Sequence, residues 1–129
     1  MREHIAARSH LFTGSTPLPL PLAYAAMEAL RVLKSDKGLR RRLQANVRYV
    51  KQALRNAGID MPDTPGPIVS LVPKSTRETA RLKRALLAAA ILPPYINYPG
   101  GPIKEYFRFV ISSEHSRGQL ERLVKVLTG

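Results

Sequence analysis

The sequence predicts a small α+β domain in which helices pack on a short sheet. Apolar residues recur at helical spacing in several long runs, two short runs of β-branched or aromatic residues read as strands, and proline-rich breaks separate them. The 129 residues are 44% hydrophobic, enough for one modest core and too few for two complete domains. Residues 1–21 read as an N-terminal segment with a hydroxyl- and proline-rich loop, and residues 22–129 as the domain itself.

The first ten residues alternate charged and small side chains without an apolar segment, so they are neither a signal peptide nor a membrane anchor. In the loop, Thr13, Gly14, Ser15 and Thr16 precede Pro17, Pro19 and Pro21, which force an extended or turning path before a helix starts. From Leu22, the residues Leu22, Met27, Leu30 and Leu33, padded by alanines, form a helix with few polar positions, expected to be mostly buried. Asp36 is placed to cap a second helix, with Leu39, Leu43, Val47, Val50 and Leu54 as its apolar stripe and Gly58 as its stop. Its solvated face is assigned Arg40, Arg41, Arg42, Arg48, Lys51 and Arg55.

Ile68, Val69, Ser70, Leu71 and Val72 read as a strand stopped by Pro73. Ser75 with Glu78 forms a capping box opening a helix through Leu82, Leu86 and Ala89. Residues 91–101 hold Pro93, Pro94, Pro99 and a glycine pair, leaving room for at most an edge strand around Tyr95 to Asn97. Residues 106–112 alternate, with Phe107, Phe109 and Ile111 on one face and Arg108 and Val110 on the other. Ser116 and Gln119 make a second capping box, and Leu120, Leu123, Val124 and Leu127 line the closing helix.

Lysine and arginine number 21 against 9 acids, a net charge of +12, so nonspecific attraction to polyanions at low salt follows from composition alone. The basic helix face invites a nucleic-acid-binding reading, but the few aromatic residues do not interleave with it as a stacking platform requires. Without cysteine, disulfides and thiolate metal sites are excluded, which fits a cytoplasmic protein. His4 and His10 have no companions at zinc spacing, and no metal is expected.

Arg108 is the best site candidate on chemistry alone. A guanidinium in a strand needs solvent or an anion, and its planar fork suits a carboxylate held by two parallel hydrogen bonds. A local ion pair to Glu105, Glu114 or another nearby acid accounts for it equally well. The hydroxyls of Thr13, Ser15 and Thr16 suit a phosphate, yet the same residues make turns and caps, and the loop lacks the lysine and spacing of a nucleotide P-loop. His115, with Glu114 and two nearby serines, reads either as catalytic or as packing at a helix start.

Taken in order, residues 12–17, the alanine-rich helix ending Ala29, Leu30, Arg31, Val32 and Leu33, and Leu39, Arg40, Arg41, Arg42 and Leu43 with Asn46, Val47, Arg48 and Tyr49 resemble the α-oxoamine synthases. That family includes 8-amino-7-oxononanoate synthase and glycine C-acetyltransferase. The order continues with Pro67, Ile68 and Val69, the proline-rich segment of residues 93–102, and the closing stretch of residues 107–116 around Arg108 and His115. The resemblance implies the small C-terminal domain of a fold-type I pyridoxal-phosphate-dependent transferase of the aminotransferase class I and II kind, homodimeric when complete. Such an enzyme would condense an acyl thioester with an amino acid or move an amino group. It implies that Arg108 binds the amino acid's carboxylate and that Thr13, Ser15 or Thr16 reaches the cofactor phosphate across the dimer interface.

The resemblance also implies that the Schiff-base lysine lies upstream of the hydroxyl loop, and residues 1–12 contain none. Lys37 lies downstream, in a helix-cap context, and is rejected for that role. The chain alone is therefore expected to bind pyridoxal phosphate weakly or not at all, and to need a large domain or partner subunit. A truncated chain that self-associates through apolar surface is the remaining expectation.

Overall fold

The computed structural model describes residues 2–8, 19–97 and 105–129, and the hydroxyl loop with Thr13, Ser15 and Thr16 lies outside them. The chain divides into two compact units, Met1–Asp36 and Lys37–Gly129.

The first unit holds α1 (Arg2–Arg8) and α2 (Leu20–Ser35). The first of these is a finding of the structure, since the sequence there shows only alternating charged and small residues. α2 begins at Leu20, ahead of the expected start, because Pro21 falls in the first turn, where a missing N–H is harmless. The expectation that α2 is mostly buried is overturned: it has no buried residue, and Leu20, Leu22, Tyr24, Met27, Leu30 and Leu33 are each more than half exposed. Alanine padding and sparse polar residues predict the helix correctly, but they do not decide what covers it.

The second unit contains α3 (Lys37–Asn56), β1 (Ile68–Leu71), α4 (Thr76–Ala88), β2 (Tyr95–Ile96), β3 (Tyr106–Val110) and α5 (Arg117–Thr128). The strands form an antiparallel sheet in the order β1-β3-β2. The expected alternation along β3 is observed: Phe107 and Phe109 are buried, Arg108 is half-buried and Val110 is exposed. The inner face joins Val69 of β1 to Val50 and Leu54 of α3, Leu82 and Leu86 of α4, and Leu120 and Leu127 of α5 in one core. Each such side chain contributes about 1.5–3 kcal/mol by leaving water. The outer face, where Ile68 and Ser70 stand opposite Val110 and Arg108, is open.

Local chemistry sets the element ends. Gly58 takes φ 80, and the amides of Gly58 and Ile59 donate to the carbonyls of Arg55 and Leu54, closing α3 in a Schellman turn. α4 ends in the same way, but with Ala90 at φ 56 and the amide of Ile91 donating to Leu86 at 2.8 Å. A β-carbon is disfavoured there, so Ala90→Gly is expected to stabilise the chain by about 0.5–1 kcal/mol, measurable as a rise of a few degrees in Tm.

Ser116 and Gln119 form the predicted reciprocal capping box of α5. At α4 the box is only half as predicted. Ser75 accepts from the Glu78 amide at 3.2 Å, but the Glu78 carboxylate turns one residue further back, to the Lys74 amide at 2.6 Å.

Lys51 is a second correction. It is 2% exposed, with its ammonium donating to the Thr64 carbonyl at 2.7 Å and hydroxyl at 3.1 Å, so it does not belong to the solvated face of α3. Arg55 on that face is paired with Asp63 at 2.9 Å. The basic surface proposed for nucleic acid thus loses two of its named residues, and that reading is not retained.

Candidate functional site

The site is built around the place where β2 stops. Pro93 and Pro94 lack amide hydrogens, which helps to confine pairing on that side of β3 to two residues, with Tyr95 opposite Phe107 and Ile96 opposite Tyr106. The Arg108 amide donates to the Pro94 carbonyl at 2.9 Å, and past that bond β2 no longer covers β3. A cleft of about 470 Å³ opens there between β3, the turn after α4 and the start of α5. Its polar wall is Arg108, His115, Gln119 and Arg122, and its apolar wall includes Ile91 and Val110.

Among the described residues no acid lines this cleft. Two guanidiniums on an acid-free wall with apolar surroundings favour an anion of small size, and a carboxylate presents two oxygens at the spacing of a guanidinium fork. The Glu105 carboxylate accepts from the Tyr95 hydroxyl at 2.9 Å, and Glu114 accepts from Arg42 at 3.4 Å and from the Ser113 hydroxyl at 3.1 Å. Desolvation first, then the adjoining Glu105 carboxylate, hold the Tyr95 phenol above its ordinary pKa. It therefore donates to Glu105 as a neutral hydroxyl, while Lys83 lies 4.0 Å over its ring.

His115 belongs to the turn between β3 and α5. Its Nδ1 accepts from the Ser112 amide at 3.1 Å, which places the proton of the neutral ring on Nε2. Asn46, on α3, ties the turn down by donating to the Ser112 carbonyl at 2.9 Å and the His115 carbonyl at 3.1 Å. These contacts support the packing reading of His115. Asn46→Ala is expected to destabilise the chain by about 1–3 kcal/mol, because two part-buried carbonyls lose their donor; urea denaturation measures it.

Sequence reasoning selected Arg108 but missed Gln119 and Arg122. A signal was available: the two lie three residues apart, hence on one face of a helix that starts just after β3. Asn46 was noticed within a motif without its role, since a contact spanning 66 residues has no local signature. Thr13, Ser15 and Thr16 remain outside the described residues.

The sequence profile of the aminotransferase class I and II family matches residues 1–127, and the chain belongs to that family. The family is pyridoxal-phosphate-dependent. Within the family the chain is similar to 8-amino-7-oxononanoate synthases: 32% identity over 81% of the chain and 27% of the Coprothermobacter proteolyticus protein, and 28% over 97% of the chain and 33% of the Methylococcus capsulatus protein.

Among solved structures, its fold is similar to the 8-amino-7-oxononanoate synthase of Francisella tularensis, with TM-score 0.75, 21% identity and coverage of 98% of this chain and 37% of that one. It is also similar to the serine palmitoyltransferase of Sphingomonas wittichii, with TM-score 0.77, 22% identity and coverage of 98% and 33%. These neighbours are fold-type I enzymes, and the chain spans about a third of their length.

The described residues do not by themselves make a site for the cofactor. No lysine lines the Arg108 cleft, so no amine stands there to take up an aldehyde. What the cleft can do is bind and orient an anion.

Proposed function

We propose that this chain is the small C-terminal part of an α-oxoamine synthase, a cytoplasmic pyridoxal-phosphate-dependent transferase that joins an acyl thioester to an amino acid, and that it supplies the grip on the amino acid's carboxylate. Arg108 beside Arg122 on one wall of the cleft is the observation that carries this reading. The guanidinium holds the carboxylate through paired hydrogen bonds, fixing the orientation of the Cα substituents before any bond changes. Arg122 adds positive charge to the same wall, and Ile91 and Val110 lower the local polarity, which strengthens the pairing. The cofactor, held elsewhere in the complete enzyme, supplies the electron sink for carbanion chemistry. One of Thr13, Ser15 and Thr16 contributes a hydroxyl to its phosphate, across a homodimer interface.

The exposed apolar residues of α2 support assembly with a larger body, because a helix that is apolar on so many positions is unstable in water without a cover. A hybrid enzyme tests the whole reading. With this chain in place of the matching third of the Methylococcus capsulatus synthase, the hybrid is expected to bind the cofactor stoichiometrically and to form product from an amino acid and an acyl thioester. A hybrid that folds and binds cofactor, yet binds no amino acid at millimolar concentrations, would overturn the proposal.

A further inference from the structure

We infer that a second cleft, formed by α3 and the loop that follows it, binds a phosphate group, either free phosphate or a small phosphate monoester. The cleft has a volume of about 380 Å³ and is lined by Gln44, Arg48, Lys51, Arg55, Asp63 and Thr64, with Val47 and Pro65 as apolar wall. One of its lining residues is the buried Lys51. A lysine ammonium has three N–H donors and a full charge. Among the described residues its acceptors are the carbonyl and hydroxyl oxygens of Thr64, both neutral.

Two neutral oxygens satisfy donors but do not compensate a charge, and a charge withdrawn from water is costly until a counter-charge meets it. Three cationic side chains reach the wall against the single carboxylate of Asp63, which Arg55 already engages at 2.9 Å. Arg48 and Lys51 are three residues apart on α3 and so share one side of the helix, where they present a guanidinium and an ammonium to the same space. The Gln44 amide, one turn earlier, offers a neutral donor. Several charged and neutral donors on one small cleft suit an anion with several acceptor oxygens, as a phosphate has. This cleft is separate from the Arg108 cleft and shares no lining residue with it.

The test is a titration of the 129-residue chain with inorganic phosphate and with glycerol phosphate, followed by amide NMR shifts at fixed ionic strength. The expected result is saturable binding of one anion per chain, with shifts confined to the surroundings of Arg48, Lys51 and Thr64. Affinity should fall by about tenfold in Lys51→Met and in Arg48→Gln, and stay unchanged in Arg41→Gln, which removes the same charge from the same helix outside the cleft. Tighter binding of the ester identifies the ester as the ligand, and equal binding identifies the free ion. Should Lys51→Met fail to fold, the exposed Arg48 decides the matter. Unsaturable shifts spread over the basic surface, or equal weakening by Arg41→Gln, would overturn the assignment. Arg108 is untouched throughout, so failure here leaves the carboxylate proposal standing.

Discussion

Arg108→Ala is expected to lower kcat/KM for the amino acid about a hundredfold in the hybrid or complete enzyme, with most of the loss in KM. A bidentate, charge-assisted pair in a partly apolar cleft is worth about 2–4 kcal/mol, and each 1.4 kcal/mol is a factor of ten. Arg122 remains on the wall and retains a diffuse attraction for the carboxylate, which limits the loss. Arg108→Lys should recover only part of the affinity, since an ammonium keeps the charge but not the fork. The side chain is half-buried on the outer face of the sheet, so a stability loss of less than about 1 kcal/mol is expected for the alanine variant. Steady-state kinetics against both substrates separates the effects: the acyl donor's KM should not move.

Phe107→Ala is the largest expected stability effect. Phe107 is fully buried, its ring centroid is 4.9 Å from that of Tyr95 and 6.3 Å from that of Phe109, and its strand is the middle one of the sheet. Truncation removes the ring from between the sheet and the helices and leaves a cavity that the flanking strands cannot close without breaking their ladders. The loss is about 3–5 kcal/mol, most of the stability available to a domain this small. Val110→Ala on the same strand should cost about 0.5 kcal/mol or less, since that side chain is 57% exposed. Urea denaturation monitored by circular dichroism compares the two, and similar losses would mean that the two faces of β3 have been misassigned.

The contrast between these two positions was legible in the sequence, because strict alternation over a short aromatic run leaves one face for the core. The helices were legible for a similar reason, with caps and glycine stops marking most of their ends. Lys51 was misplaced by sorting residues by type. It lies four residues after Val47 and three before Leu54, on the same stripe as those buried side chains, and spacing alone would have put it inside. The covering of α2 was not legible in physical terms: composition predicts that an apolar helix needs a cover, but not which chain supplies it. The Arg108 cleft was half legible. The odd residue in the strand was visible, but Gln119 and Arg122 meet it only after the chain has turned through His115 and been fastened by Asn46.

The most direct test of Arg108 as the carboxylate grip is a cycle in the hybrid enzyme that pairs Arg108→Ala with a substrate lacking the carboxylate. Binding of the amino acid and of its carboxamide would be measured with wild-type and variant proteins. A coupling of about 2–4 kcal/mol is predicted, the variant losing affinity for the acid and almost none for the amide. Equal losses for acid and amide would contradict the account, since Arg108 would then be shaping the cleft and not holding the anion.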